Sequence, residues 1–392
     1  MSQQLINHSP DLKQLRDEGY SIAVCGGYLL IHHIPYVNSN KEIKLGTLVT
    51  KLSLSNNTST AKPQTHVIYF TGEHPCNKDG SCITQIMNSS VSQTLHEGIT
   101  INHTFSNKPP NGYDNYYHQV SRYAEIISAP AKSLDDTVTE KPFDVIIDED
   151  PDTVFQYLDT NSSRANLNMI NAKFNGQKIA IIGLGGTGAY ILDLVAKTPV
   201  QEVHLFDGDA FLLHNAFRSP GAASNEQLNN KFRKVHYYAG IYSNMHKNVI
   251  PHDYYINNQN LDELRQMNYV FICVDKNSVR KNLMDYLLNA AIPFIDVGLG
   301  VNTVDDCLIG TIRVTTGTSL KNDHLIDRVP GEDNDNNDYG TNIQIADLNV
   351  LNAALAVIKW KKMSGFYQDL EKEHHSTYSI NVAQLLNEDL TA

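Results

Sequence analysis

A glycine-rich segment near the middle of the chain, Gly183-Leu184-Gly185-Gly186-Thr187-Gly188, separates an apolar run from a stretch of helical character. Glycines at this spacing permit a tight turn, let an anion approach the backbone, and allow the following helix to lie close to a sheet. The N-terminus of that helix would offer free N–H groups and the positive end of its dipole. Such a segment is suited to holding the phosphates of a nucleotide.

Two acidic residues follow at the expected distance. Asp207 lies 19 residues after Gly188, at the end of a second apolar run, and Asp209 follows after one glycine. An acid about 20 residues beyond a glycine loop is placed to hydrogen-bond a ribose. Strand, glycine turn, helix, strand and acid therefore predict a nucleotide-binding α/β unit, and the alternative is a tight turn that binds nothing.

Further charged residues downstream could complete phosphate chemistry. Arg218 and Lys234 supply cations, and Asp275 follows an apolar run whose carboxyl end would lie where ligands gather in open α/β sheets. Cations stabilise phosphate charge and a carboxylate can hold Mg²⁺. Lys231 competes with Lys234 for the catalytic role, and a helix N-cap is the alternative interpretation of Asp275.

These residues resemble the motifs of the ThiF/MoeB and ubiquitin-activating enzyme superfamily, in its bacterial type. The matching elements are the doubled Gly185-Gly186, Asp207-Gly208-Asp209, Asn215-Ala216-Phe217-Arg218, Lys234-Val235, and Cys273-Val274-Asp275 with Arg280 five residues after the aspartate. The resemblance covers roughly residues 160–362. It implies a Rossmann-like α/β adenylating domain with a mixed sheet.

The resemblance also implies a role for each site residue. The expected nucleotide loop is Gly183, Gly185, Gly186 and Gly188. Asp207 and Asp209 are expected to bind the nucleotide too, with Asp207 at the ribose. Asn215 and Arg218 would contact phosphates, Lys234 would contact phosphates and the transition state, and Asp275 would bind Mg²⁺. Arg164 matches an arginine that reaches an ATP phosphate, often in a partner subunit, although a surface arginine explains it nearly as well.

The activity implied is ATP-dependent adenylation of the C-terminal carboxylate of a ubiquitin-like or sulfur-carrier protein, with release of pyrophosphate. A homodimer and a conjugating-enzyme-like partner are further implications. An NAD-dependent oxidoreductase is the first alternative, because the glycine loop and Asp207 suit NAD as well, but it explains neither Asn215 and Arg218 nor Lys234. A non-catalytic scaffold that keeps the fold is the second.

The composition bounds these possibilities. The chain has 392 residues, of which 41% are hydrophobic and 19% charged, with a net charge of -12. This charge argues against a general binder of nucleic acid or anionic membranes. The sequence has no apolar run of the ~18–20 residues that span a bilayer, and its N-terminus does not resemble a secretion signal. Five cysteines without a Cys-x-x-Cys pair favour a reducing cytoplasm.

Two domains are predicted, an α+β domain over residues 1–135 that recognises the substrate protein or a partner, and the adenylating domain over 155–392. Residues 133–142 are expected to link them, 55–64 to form a surface loop, and 331–339 to form a mobile acidic loop. Further expectations are strands at 21–25, 28–34, 45–54, 66–70, 269–274, 293–297 and 308–315, and helices at 116–127, 225–247, 277–290 and 346–362.

One cluster in the first domain has three interpretations. His74, Cys76 and Cys82, perhaps with His103, could bind a metal, but their spacing matches no strong zinc pattern. The segment also resembles distantly the His-Pro-Asn … Gly-x-x-Cys segment of ubiquitin-conjugating enzymes, with an interval two residues short and Cys76 in place of the asparagine. The favoured interpretation is a glycine-containing turn between strands with half-buried cysteines.

Cysteine positions also bear on the fate of an acyl adenylate. Residues 308–392 contain no cysteine. Cys307 falls at the start of an apparent strand and Cys273 lies within another, and a buried thiol there would be a poor nucleophile. We therefore expect no thioester on the adenylating domain. The acyl adenylate would pass to a partner's nucleophile or, as the less favoured route, to Cys76 or Cys82.

Overall fold

Two groups of strand-forming segments build two separate sheets in the computed structural model. The structure describes residues 2–56, 58–147, 152–329 and 343–391. The chain divides into two units, Met1–Glu149 and Asp150–Ala392. The predicted fold class, a Rossmann-like domain with a mixed sheet after a smaller α+β domain, is confirmed.

The first unit is an antiparallel sheet covered by helices. Its six strands have the order β1-β2-β3-β6-β10-β7, and two short hairpins, β4-β5 and β8-β9, lie beside them. Its helices are α1 (Ser2–His8), α2 (Pro10–Asp17) and α3 (Tyr116–Leu134). Its strands are β1 (Ser21–Cys25), β2 (Tyr28–Val37), β3 (Ile43–Lys51), β4 (Leu54–Asn56), β5 (Ser59–Thr60), β6 (Val67–Thr71), β7 (Met87–Ser89), β8 (Gln93–His96), β9 (Ile99–Ile101) and β10 (His103–Ser106).

Period-two apolar residues explain this sheet, because alternate side chains of a strand share one face. Leu29 and Ile31 of β2 are buried with Phe70 of β6 and Phe105 of β10. Helix α3 supplies Tyr123 to the same core. The predicted strands over 21–25, 28–34 and 66–70 and the helix that begins at 116 are confirmed.

Two connecting segments differ from expectation. The predicted surface loop over 55–64 contains part of the β4-β5 hairpin. The predicted linker over 133–142 packs on the first unit instead, because Glu140 is buried and accepts hydrogen bonds from Lys132 at 3.0 and 3.1 Å. Lys141 pairs with Glu18 at 2.7 Å in the same unit.

The second unit is an eight-stranded mixed sheet with the order β13-β12-β11-β14-β15-β16-β17-β18. The strands from β13 to β15 are parallel and those from β15 to β18 are antiparallel. Its strands are β11 (Lys178–Ile182), β12 (Glu202–Phe206), β13 (Val249–His252), β14 (Tyr269–Ile272), β15 (Phe294–Val304), β16 (Cys307–Gly317), β17 (His375–Ser379) and β18 (Gln384–Glu388). Its helices are α4 (Thr160–Arg164), α5 (Asn168–Asn171), α6 (Gly186–Val195), α7 (Leu213–Ala216), α8 (Asn225–Asn230), α9 (Lys234–Tyr242), α10 (Asn277–Asn289), α11 (Leu325–Arg328) and α12 (Ala346–Met363).

Strand β11 is apolar throughout its interior because the sheet is covered on both faces, as parallel sheets are. Ile179 and Ile181 point to a core that includes residues of α6 and α12. Ala180 and Ile182 point to the opposite core, which includes Leu283 of α10. The sheet is therefore the middle layer of three, and the carboxyl ends of β11 and β14 meet at one edge.

Some predicted elements have other bounds. The helix predicted over 225–247 is two helices, α8 and α9, because Lys231 adopts a left-handed conformation with φ 47° and ends α8. The predicted mobile loop over 331–339 lies outside the described residues. In the described parts of the chain, no helix combines the length and apolar character that crossing a bilayer requires.

Candidate functional site

The glycine loop joins β11 to α6 and contains two positions that only glycine can occupy. Gly183 has φ +92°, and a Cβ there would lie 2.6 Å from the Cys273 carbonyl oxygen. A Cβ on Gly188 would lie 1.9 Å from the Gly183 carbonyl oxygen. These contacts bring the first turn of α6 against the carboxyl end of β11, as the glycine spacing predicted.

Gly185, at the N-cap of α6, is different. It has an ordinary φ of -68°, and a Cβ there would meet no atom within 4 Å. The first N–H groups of a helix have no partner within it and favour an anion. The open space at Gly185 therefore lies where α6 can receive a phosphate.

A cavity of about 500 Å³ opens at this point. This volume falls in the range of ~300–1,000 Å³ that is typical of small-molecule sites. Gly185, Gly186, Gly188 and Asp275 contribute to its wall. The wall also includes Thr187, Arg280, Gly298, Thr311, Arg313, Asn349 and Asn352.

A buried ion network stiffens one side of the cavity. Asp296 is fully buried and accepts hydrogen bonds from Arg280 Nε at 2.8 Å and Arg313 at 2.7 Å. Arg280 also donates to the Val274 carbonyl at 2.5 Å. The network fixes the end of β14, immediately before the exposed Asp275. Sequence reasoning missed Asp296 and Arg313.

The two aspartates after β12 are tied to the glycine loop. Asp207 is 6% exposed, and its two carboxylate oxygens accept from the backbone N–H groups of Leu184 at 2.7 Å and Asp209 at 2.8 Å. Lys234 Nζ lies 2.7 Å from Asp209 and 3.4 Å from Asp207. Asp207 therefore braces the loop, and Lys234 joins α9 to the same cluster.

The second acid is the more accessible one, since the side chain of Asp209 is half exposed. Burial alone would raise the pKa of Asp209, but hydrogen bonds from Lys234 and Tyr255 outweigh it and lower that pKa below its usual value. Asp209 is therefore ionised at neutral pH, beside a buried ammonium group.

The Asn215–Arg218 turn is the next part of the site. Asn215 is buried, and its side-chain oxygen accepts from the Leu212 N–H at 2.9 Å, which caps α7. The Arg218 Nε is buried and has no hydrogen-bond partner among the described residues. The Arg218 carbonyl accepts from Asn349 at 3.4 Å, and Asn349 also accepts from the Thr187 hydroxyl at 3.0 Å. Asn349 thus links this turn to the glycine loop.

The predicted residues therefore occupy two connected places. Three loop glycines and Asp275 line the cavity, whereas Asp207, Asn215, Arg218 and Lys234 are not among the described residues that line it. Asp207 bonds to the loop directly, and Lys234 contacts Asp207. The Asn215–Arg218 turn is connected to the loop through Asn349. Lys231 is exposed, and Lys234 is 7% exposed. Arg164 is exposed on α4 and is absent from the described wall.

Two further residues of the wall, Asn349 and Asn352, come from α12. Both are buried, and Asn352 donates to the Gly298 carbonyl at 3.0 Å. They lie three residues apart, on one face of a helix that is otherwise largely apolar. That spacing was a signal available in the sequence.

One of the cysteines, Cys307, has a different environment from the one predicted. Cys307 was expected to be buried and is exposed, at the start of β16 where the β15-β16 hairpin turns. Cys273 directly follows β14 and is half-buried, and burial raises the pKa of its thiol. In the first unit Cys76 is buried and Cys82 is exposed, on either side of the predicted turn.

Two protein families match parts of this chain. Residues 171–304 match the ThiF family, and residues 10–160 match a family described as Domain of unknown function (DUF6791). The chain resembles no curated protein sequence.

Among solved structures, this chain is similar to MccB from E. coli with ATP (16% identity, TM-score 0.45, covering 59% of this chain and 70% of MccB). MccB from E. coli with MccA-N7isoASN has 17% identity and a TM-score of 0.43, covering 59% of this chain and 69% of MccB. PaaA has 14% identity and a TM-score of 0.45, covering 86% of this chain and 98% of PaaA. With the family match over its glycine loop, acid pair and Asp275, this chain contains a ThiF family domain, preceded by a DUF6791 domain.

Proposed function

We propose that the second unit uses ATP to adenylate the C-terminal carboxylate of a small ubiquitin-like or sulfur-carrier protein. A carboxylate oxygen of the carrier attacks the α-phosphorus, the bond from that phosphorus to the bridging oxygen breaks, and pyrophosphate leaves. The observation that carries the proposal is the open N-terminus of α6 at Gly185, beside a polar cavity of about 500 Å³. The match of residues 171–304 to the ThiF family supports the choice of chemistry.

The phosphates would lie against the first turn of α6. Its N–H groups and dipole favour negative charge. Arg218 supports this placement. Its buried Nε has no hydrogen-bond partner among the described residues, so it can donate to a bound anion. Asp207 and Asp209 would lie at the ribose, and Asp209 has the more accessible oxygens of the two.

Lys234 would offset the negative charge that develops on the transferring phosphate. In this structure its ammonium group is paired with Asp209 and Asp207. A ribose hydroxyl that donates to Asp209 would weaken this pairing and leave the ammonium group available to phosphate. The Lys234 position thus connects nucleotide binding with the charge needed for reaction.

Asp275 would hold Mg²⁺, which neutralises the charge of the leaving pyrophosphate. The residue fits this role because its carboxylate is exposed at the cavity wall, and Mg²⁺ prefers carboxylate and phosphate oxygens. The Arg280–Asp296–Arg313 network keeps the strand end that carries Asp275 in place.

We also propose a homodimer in which Arg164 reaches the nucleotide of the partner copy. The support is that Arg164 is exposed and lies outside the described wall of its own cavity. The first unit would recognise the carrier or a conjugating-enzyme-like partner. Mixing Arg164→Ala chains with Lys234→Ala chains should restore part of the activity if the sites are shared between copies.

The test of the proposal is ATP–pyrophosphate exchange by the full chain with carrier proteins that end in Gly-Gly. Arg218→Ala and Asp275→Ala should each lower the exchange rate more than ~100-fold, the scale for losing a preorganised electrostatic group. Asp285→Ala is the matched control for Asp275, since Asp285 is exposed on α10. Near-normal exchange by Arg218→Ala would show that this arginine is structural.

A further inference from the structure

A side-chain cluster in the first unit is independent of the nucleotide site. His74, Cys76 and Cys82 each offer one ligand atom, and these three atoms lie within 4.8 Å of one another. Around a tetrahedral zinc ion, with bonds of about 2.0–2.3 Å, ligand atoms are ~3.4–3.8 Å apart. Movement of about 1 Å by the side chains would therefore complete the geometry.

The orientation of His74 supplies the second observation. Its Nδ1 lies 2.9 Å from the Pro75 carbonyl oxygen, which can only accept, so Nδ1 carries the proton and Nε2 carries the lone pair. The Nε2 atom is buried and has no partner among the described residues. In a metal-bound histidine, one ring nitrogen usually donates a hydrogen bond to a carbonyl or carboxylate, and this bond orients the other nitrogen toward the metal.

The backbone around the two cysteines is fixed by a tight hairpin. Asn77 donates its N–H to the Ser81 carbonyl at 2.7 Å, and Gly80, with φ +87°, donates to the Asn77 carbonyl at 2.9 Å. Cys76 and Cys82 face each other in an antiparallel bridge, and Cys76 is also bridged to Val37 of β2. The thiols are therefore held on one small, rigid support.

We propose that His74, Cys76 and Cys82 bind a zinc ion. Two thiolates and an imidazole are ligands that zinc prefers over harder cations such as Mg²⁺. Because Cys82 is exposed, the fourth position faces solvent and would hold water. His103 packs edge-on against the His74 ring, with ring centroids 5.0 Å apart, and its Nδ1 contacts the Ser90 hydroxyl, so it orients the ligand rather than completing the site.

Zinc binding would displace protons from the thiols. Because zinc binds thiolates and not thiols, its affinity should increase with pH. The bound ion would cross-link the two sides of this hairpin and raise the unfolding temperature of the full chain.

The experiment uses the full chain, freed of metal with a chelator and kept reduced, with all five thiols titratable before use. Co²⁺ is the probe, because thiolate-bound Co²⁺ has a charge-transfer absorption band that other ligands do not give, and Zn²⁺ is then added to displace it. The expected result is one Co²⁺ per chain with the thiolate band and complete displacement by Zn²⁺.

The variants distinguish this site from adventitious binding. Cys82→Ser and His74→Gln should each weaken Co²⁺ binding at least ~100-fold, the upper end of the loss for a supporting residue alone. Cys25→Ser is the matched control, an exposed cysteine of the same unit, and should bind as the unchanged chain does. A missing thiolate band, or equal affinity in Cys25→Ser and Cys82→Ser with circular dichroism unchanged, would overturn the proposal.

Discussion

Lys234 is a buried cation held by two carboxylates. Its Nζ lies 2.7 Å from Asp209 and 3.4 Å from Asp207, and the residue is 7% exposed. A buried pair of this kind adds little net stability, but removing one partner is costly because it leaves an uncompensated charge. A catalytic role for Lys234 would explain why a buried charge is present here although it adds little to the stability of the fold.

Replacing Lys234 by alanine should therefore affect both activity and stability. We predict that Lys234→Ala lowers ATP–pyrophosphate exchange more than ~100-fold and lowers the free energy of unfolding by about 3–5 kcal/mol. Exchange assays and urea unfolding measure the two effects. Lys231→Ala, which removes an exposed lysine three residues away, should change neither. Equal losses in both variants would contradict the assignment.

The acidic partner gives a prediction on pH. The pKa of Asp209 lies below its usual value, so Asp209 contributes stability that is present above the unfolded pKa of about 3.9 and is lost as the pH falls through the folded value. The free energy of unfolding of Asp209→Asn should fall below that of the unchanged chain at pH 7, and the difference should shrink below about pH 4. A difference that grows on acidification would mean that the sign of the shift is wrong.

At the scale of elements, the helices and strands that were predicted well are those whose pattern lies within a short stretch of sequence. The glycine loop, β11 and α6 follow from adjacent residues, and the structure has them at the expected positions. The split between α8 and α9 depends on one left-handed residue, Lys231, which no pattern indicates. Asp296 escaped notice because its partners, Arg280 and Arg313, lie 16 and 17 residues away.

The exposure of Cys307 has an element-scale cause. Strands were predicted over 293–297 and 308–315, whereas β15 and β16 are each 11 residues long and continue past the sheet's core as a hairpin. Cys307 and Val304 pair near the tip of that hairpin, and both are exposed. For β15 the sequence pattern detects the buried part and misses the projecting end, 298–304.

The N-terminus of α6 is tested by Gly185→Val. The new side chain would enter space that contains no atom within 4 Å of its Cβ and would exclude a phosphate, while φ -68° allows the substitution. We predict loss of measurable ATP binding by calorimetry, with an unchanged unfolding temperature. Gly240→Val is the control, because Gly240 also has open space but lies in α9. Unchanged ATP affinity in folded Gly185→Val would remove the loop from the nucleotide site.

At the scale of the whole molecule, the two-unit organisation was predictable, because the composition and the motifs change along the chain. The first unit extends to Glu149, further than residue 135, since the segment after α3 folds back onto it. The sequence indicated the cluster of His74, Cys76 and Cys82 only weakly as a metal site, because their spacing matches no standard zinc motif. Only the hairpin in three dimensions places their ligand atoms together.

The fate of the acyl adenylate is a whole-molecule question. Thr311 lines the cavity, and Cys307 lies four residues along the same strand, about 13 Å away at ~3.3 Å per residue. We therefore still predict no thioester at Cys307, despite its exposure, and transfer to a partner's nucleophile. A zinc ion bound to Cys76 and Cys82, as proposed above, would keep those two thiols from accepting the acyl group. Non-reducing gels of enzyme, ATP and carrier test this. A thiol-sensitive conjugate that persists in Cys82→Ala and disappears in Cys307→Ala would contradict it.

The most direct measurement of the central claim is exchange of labelled pyrophosphate into ATP by the full chain, with carriers that end in Gly-Gly and the same carriers with an amidated C-terminus. We predict exchange that requires ATP, Mg²⁺ and a free carboxylate, and none with the amidated carriers, because the carboxylate oxygen is the nucleophile. Exchange that is equal with both carrier forms would contradict adenylation of the C-terminus. Absence of exchange together with NADH binding that Gly185→Val abolishes would instead identify an NAD-dependent enzyme.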